Sequence, residues 1–166
     1  MQIVEGYRPG AVAAIVGHHM NYYAREWGFG LPFEARVATD CARFLQRYDG
    51  ARDRLWLVIK NAGIEGSLVL DHDTAGTDHE GLHLRWFILS DALRGQGAGK
   101  ALMQKATGFA DQTSQGKIWL TTFRGLSAAR NLYEEFSFEL VSETEGETWG
   151  RQVYEQVWIR TGPQSS

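Results

Sequence analysis

The sequence predicts one mixed α/β domain with its elements in the order βααβββαβαββ, and three observations carry that reading. The chain has 166 residues, enough for one sizeable core and too few for two ordinary domains. Segments with apolar residues three and four apart are interspersed with short runs of alternating or continuous apolar residues, as helices and strands are. In the middle of the chain the turn Arg94-Gly95-Gln96-Gly97-Ala98-Gly99-Lys100 joins an apolar strand to a helix. The domain is expected over residues 1–160, with 161–166 a frayed tail. Internal repeats and low-complexity segments are absent from the sequence.

Residues 3–7 read as a short first strand closed by Arg8-Pro9-Gly10. Over 11–27, Val12, Ile15, Val16, His19, Tyr23 and Trp27 recur at helical spacing and give one buried face. A glycine- and proline-containing stop follows, and a second helix from about Phe33 puts Phe33, Val37, Cys41, Phe44 and Tyr48 on one stripe. Leu55-Trp56-Leu57-Val58-Ile59 is apolar throughout, as a strand covered on both faces would be. Asn61-Ala62-Gly63 turns the chain into a strand over 64–70.

The polar run 71–81 contains two Asp-His pairs. It reads as a solvated loop rather than a metal site, because its ligand types lack a spacing that would fix them. Residues 82–89 form the next strand, with Leu82, Leu84, Trp86 and Ile88 on one face and His83 and Arg85 on the other. Leu102, Ala106 and Phe109 mark the helix after the turn. A strand over 118–123 follows, then a helix over 127–136 that Ser127 is able to cap. Strands over 138–141 and 152–159 complete the chain.

The central turn has the makings of an anion site. Gly95, Gly97 and Gly99 leave consecutive backbone N–H groups free to converge, the helix start adds its positive dipole end, and Arg94 stands beside it. A Walker A loop is excluded, because Arg94 and Ala101 occupy the positions that need glycine and a hydroxyl. The Gly-x-Gly-x-x-Gly dinucleotide pattern is also missed.

Composition narrows the partners. A net charge of −3 and scattered basic residues give no nucleic-acid surface. No apolar stretch is long enough to span a membrane and the first residues lack a secretory layout, so no membrane association and a cytoplasmic location are expected. Cys41 is the only cysteine, which excludes an internal disulfide and a cysteine-built zinc site; it reads as a small buried hydrophobe.

The motif Arg94-x-x-Gly97-x-Gly99, directly after a strand and opening a helix, resembles the acyl-CoA signature of the GNAT N-acetyltransferase family. The element order is similar to that fold over nearly the whole chain, and the resemblance implies a mixed seven-stranded sheet with about four helices. The runs Leu84-Arg85-Trp86-Phe87, Thr122-Phe123-Arg124-Gly125-Leu126, Thr148-Trp149-Gly150 and Glu155-Gln156-Val157-Trp158 look most like the acetyltransferase half of bacterial MarR–GNAT fusion proteins. No room for a DNA-binding half is expected.

The resemblance implies acetyl-CoA as cosubstrate and no metal. It implies that the backbone amides of Gly95, Gln96, Gly97, Ala98, Gly99 and Lys100 hold the pyrophosphate, with Arg94 either pairing with phosphate or fixing the turn. Phe87, Ile88 and Leu89 would lie along the pantetheine arm, and Ala129 belongs to the same cofactor-binding set. Tyr133 matches the tyrosine of the family's Ala-x-x-x-Tyr pattern and is the candidate general acid to the departing thiolate, since a phenol of ordinary pKa is protonated at neutral pH. Leu126 stands where many members carry asparagine, and Ser137-Phe138 replaces the usual Gly-Phe.

His83 is a candidate base, and Glu34 a candidate for binding a cation. The expected acceptor is a primary amine of a small molecule or a peptide, walled by residues 22–36 and 143–151. A non-catalytic acyl-CoA-binding or sensory module is the alternative from another class. A third is an interaction domain using the aromatic last strands, which also make a homodimer plausible.

Overall fold

The computed structural model describes residues 1–163. It has strands β1 (Gln2–Glu5), β2 (Arg54–Lys60), β3 (Gly63–Asp71), β4 (Leu82–Leu89), β5 (Lys117–Phe123), β6 (Glu139–Gly146) and β7 (Val153–Thr161), with helices α1 (Ala11–Trp27), α2 (Leu31–Gln46), α3 (Ala98–Thr113) and α4 (Ser127–Glu135). The order is βααβββαβαββ, as the sequence predicts, with one 3₁₀ turn at Asp91–Leu93.

The seven strands form one mixed sheet, β1-β2-β3-β4-β5-β7-β6. Only β4 and β5 run parallel; the remaining neighbours are antiparallel. Helices cover both faces. On one side Leu102, Met103, Ala106 and Ala110 of α3 and Tyr133 of α4 pack on Trp56, Val58, Leu68 and Leu84. On the other, Ala11 and Ile15 of α1 and Cys41 and Phe44 of α2 pack on Leu55, Leu57 and Val69. Strand β2 therefore sends alternate residues into two cores, which explains its unbroken apolar sequence.

Two features open the middle of the sheet. At the start of β4, a Cβ on Gly81 (φ +90°) would lie 2.2 Å from the Lys117 carbonyl oxygen, so only glycine lets the parallel strands come together here. They stay paired at Leu82↔Ile118 and His83↔Trp119 and at no later position. Further along, the β3–β4 register shifts between Ser67 and Val69, opposite Ile88 and Arg85, so β4 carries an extra residue. Trp86 has φ 46° there, and the buried Ser67 hydroxyl donates to its carbonyl at 2.6 Å.

The bulge overturns the simple alternation expected of β4. Phe87 and Leu89 join the α3 side with Leu82 and Leu84, while Trp86 turns to the α1/α2 side. Two smaller expectations also change. Leu126, not Ser127, is the N-cap of α4, and no side chain caps that end. Thr161 belongs to β7 rather than to a tail; residues 164–166 lie outside the described residues.

The Asp-His run is anchored by its first two residues. Asp71 ends β3 fully buried and receives both terminal guanidinium nitrogens of Arg47, at 2.9 and 2.6 Å, and Arg85 at 3.1 Å. Asp53, also fully buried, accepts from the backbone and Nδ1 of His72 and from the Asp49 amide. Asp53, Asp71 and His72 present ligand atoms within 4.8 Å of one another, but these protein donors already occupy them, which gives the cluster a structural role. Burial alone would raise the Asp71 pKa; hydrogen bonds from Arg47, the Asp73 amide and Arg85 outweigh it and hold the carboxyl below its usual range.

Candidate active site

The turn after β4 is open to solvent. Arg94, Gly95, Gln96 and Gly97 are exposed, and a Cβ added to Gly95 or Gly97 would meet nothing within 4 Å. Gly97 takes the left-handed conformation (φ 73°) as N-cap of α3, and no side chain caps the helix. The first-turn N–H groups of a four-turn helix thus face outward beside the positive dipole end. Arg94 is paired with Asp91 at 3.0 Å and Lys100 with Glu135 at 2.8 Å. The Arg94 pair lies within the turn and is exposed on both sides.

The separation of β4 from β5 opens a cleft of about 460 Å³ that passes from one face of the sheet to the other. On the α3/α4 side it is lined by Leu84, Phe87, Ala129 and Tyr133. Its α1/α2 side is lined by His19, Tyr23, Phe33, Arg36, Asp40 and Arg85, closed by Phe123 and Trp149, with Glu155 on β7. The sequence-expected residues Phe87, Ala129, Tyr133 and His83 meet in this cleft. Leu89 packs in the core beneath α3, and Ile88 is registered opposite Ser67 of β3.

Tyr133 is 6% exposed, and burial raises the pKa of its phenol, which stays protonated. No protein group hydrogen-bonds its hydroxyl among the described residues. It also borders a smaller cavity of about 230 Å³ at the open end of α4, next to Ser127 and Arg130. Tyr23, from α1, reaches the same region: burial raises its pKa first, and the nearby Tyr133 phenol adds to the effect. The two phenols approach from opposite layers of the fold.

His83 stacks on Trp119 with ring centroids 3.7 Å apart. Burial, helped by Arg85, lowers its pKa to about 3, so the imidazole is neutral. It sits where β4 and β5 are still paired, three positions before the bulged Trp86. Glu34 is exposed on the first turn of α2 and does not line the cleft. Arg36 and Asp40 occupy that wall because they lie beside the Phe33–Val37 stripe. The Cys41 thiol, raised to about 11 by burial, is inert packing.

In the sequence His19 and Tyr23 read as core residues of an amphipathic helix, and their spacing is that of a core stripe. What sets Tyr23 apart is contact with distant parts of the chain, and His19 stacks on it. Tyr23 packs on Phe29, Phe33 and Phe123 at 5.0–5.9 Å, and Phe33 packs on Trp149 at 5.2 Å.

A split parallel pair, an uncapped glycine turn and a cleft through the sheet together make a mixed α/β fold with an open anion-suited turn next to a buried cleft. The acetyltransferase (GNAT) family profile matches residues 20–138, and the chain belongs to that family. Its fold is shared by a GNAT-family acetyltransferase from Staphylococcus aureus Mu50 (16% identity, 96% and 98% of the two chains, TM-score 0.73). A ribosomal-protein-alanine N-acetyltransferase from Brucella melitensis is equally similar in structure (12% identity, 96% and 99%, TM-score 0.73). An acetyltransferase from Streptococcus agalactiae 2603 shares the fold as well (16% identity, 96% of each chain, TM-score 0.70). No curated protein sequence matches the chain. The narrower likeness to MarR–GNAT fusion proteins finds no support in these matches. No helix among the described residues is long and apolar enough to cross a membrane.

Proposed function

We propose that this protein is an N-acetyltransferase that passes the acetyl group of acetyl-CoA to a primary amine of a small molecule or a protein, by direct attack in a ternary complex. The observation that carries the reading is Tyr133: a buried phenol without a protein partner, in the wall of a cleft beside the uncapped start of α3. Acetyl-CoA supplies the acetyl group already activated as a thioester. The amides of residues 95–100 suit its pyrophosphate, since an uncapped helix start and open glycines favour an anion. Phe87 and Ala129 line the cleft, and Phe87 lies beside Gly99 of that turn, so the pantetheine arm would run past them, with the Ile88–Leu89 end of β4 alongside.

The chain's own contribution is positioning and proton supply. Beyond Leu82 and His83, β4 has no registered partner in β5, so backbone N–H groups on that edge of β4 are available to orient and polarise a carbonyl. Tyr133 holds a proton that a departing thiolate needs, in a site dry enough to keep the phenol protonated. His83 is less suited to the base role, because its ring is committed to Trp119 at the closed end of the split. For assembly, β6 is the available edge for a homodimer, exposed along nearly all its length with Leu140 and Val141 outward; the mass in solution by light scattering tests it.

The test of the activity is release of free thiol from acetyl-CoA across a panel of polyamines, amino acids, aminoglycosides and peptides. With an accepted amine, Tyr133→Phe is expected to lower kcat about 10²-fold and leave KM for acetyl-CoA within about twofold. An unchanged kcat would remove Tyr133 from the chemistry. Tight acetyl-CoA binding without thiol release would favour the non-catalytic module instead.

A further inference from the structure

His19 is 7% exposed, on α1, and lines the cleft. Its Nδ1 lies 2.7 Å from the Ile15 carbonyl oxygen. A carbonyl can only accept, so Nδ1 carries the hydrogen and Nε2 is left with its lone pair. Nε2 has no protein partner among the described residues. The sealed, unpartnered side-chain polar atoms among those residues are the indole nitrogens of Trp56 and Trp119, so His19 Nε2 keeps an opening onto the cleft. The ring stacks on Tyr23 at 6.2 Å and 13°, and Tyr23 in turn feels Tyr133. A buried acceptor with a fixed tautomer therefore stands on the acceptor side of the candidate acid.

The charges around it also point one way. Arg85 lies between Asp71 (3.1 Å) and Asp40 (3.5 Å), and Arg36 sits on Asp40 at 2.7 Å. Each guanidinium in the cleft wall thus has a carboxylate. Glu155 lines the same cleft, beside Thr144 across the β6–β7 ladder, and has no ion-pair partner among the described residues. Four aromatic side chains, Tyr23, Phe33, Phe123 and Trp149, share that wall with small polar and apolar residues. Lone pairs, π-faces and one unpaired carboxylate suit an ammonium group on an apolar body.

We propose that His19 Nε2 takes the proton the acceptor nitrogen releases as it becomes an amide, and that the acceptor is a primary alkylamine on an aromatic or apolar body, its ammonium form first held by Glu155. This rests on the acetyl-transfer reading. The ammonium ion loses one proton to water at the mouth of the cleft. The nitrogen then bonds to the thioester carbonyl carbon, the carbon–sulfur bond breaks, the second proton passes to His19, and the thiolate takes the Tyr133 proton; water restores both side chains. Burial lowers the His19 pKa to about 4, so the imidazole enters the step neutral and too weak a base to strip a free ammonium ion; the nitrogen of the adduct is more acidic, and becomes far more so as the amide forms.

The matched pair 2-phenylethylamine and phenylalanine tests the acceptor class, since they differ only in a carboxylate. The amine is expected to show kcat/KM at least tenfold above the amino acid, and Glu155→Gln to raise KM for the amine about tenfold. His19→Asn keeps a donor for Ile15 but is too short to place an acceptor at the Nε2 position, so kcat should fall about 10²-fold with the melting temperature nearly unchanged. His19→Gln puts an oxygen near the Nε2 position and should restore KM for the amine but not kcat. Wild-type kcat in both His19 variants, or a preference for phenylalanine, would overturn the proposal while leaving acetyl transfer standing. Absence of thiol release from the wild type with every amine would overturn both.

Discussion

A methyl group added at Gly97 would touch nothing, yet Gly97→Ala is expected to cost about 1 kcal/mol, because the cost lies in the backbone at φ 73°. The same strain would move the amides proposed to hold the pyrophosphate. KM for acetyl-CoA should rise several-fold while kcat at saturation changes little, and chemical denaturation beside steady-state kinetics would show both. This residue was legible in the sequence, as was Tyr133, because each belongs to a motif whose spacing is local. His19 and Tyr23 were not. Tyr23 is set in the cleft by Phe123 of β5 and Tyr133 of α4, and His19 stacks on Tyr23; along α1 they look like any buried stripe.

Elements were legible wherever periodicity is the physical cause of burial, and so the order, the two-faced β2 and the strand–turn–helix unit were all readable. The β4 bulge was not. Alternation assigns Trp86 to the face of Leu82 and Leu84, and nothing in the chain announces a tryptophan with positive φ. What holds it is tertiary: the Ser67 hydroxyl, 1% exposed, bonded to the Trp86 carbonyl. Ser67→Ala leaves that carbonyl without its partner and is expected to lower stability by about 1–2 kcal/mol. If the bulge orients the backbone around the reacting carbonyl, kcat should drop about tenfold with little change in acetyl-CoA affinity, a split that isothermal titration and initial rates would resolve.

At the scale of the molecule, charge ties the layers together and burial sets the response to acid. Arg36, Asp40, Arg85, Asp71 and Arg47 alternate in sign from the cleft to the end of α2, fastening that helix to β3 and β4. Asp71→Asn leaves Arg85 with Asp40 and Arg47 with Asp73 as their remaining carboxylates and is expected to cost about 2 kcal/mol in urea unfolding.

The two cleft histidines act in a higher pH window than this carboxylate. Their folded pKa values, about 4 for His19 and about 3 for His83, lie below the unfolded value near 6.5. Above pH 6.5 both states are neutral and the full stability is present. As pH falls toward 4 the unfolded chain binds protons that the folded chain refuses, so stability declines. Near pH 5 these two groups together remove roughly 3 kcal/mol per pH unit. Asp71, whose folded pKa is depressed, adds its loss only below its unfolded value near 3.9. Replacing His83 by Phe keeps a ring against Trp119 and deletes one of the two titrations. The slope of unfolding free energy against pH between 6.5 and 4 should fall by about half its histidine part, and a slope equal to wild type would show that His83 is protonated as readily folded as unfolded.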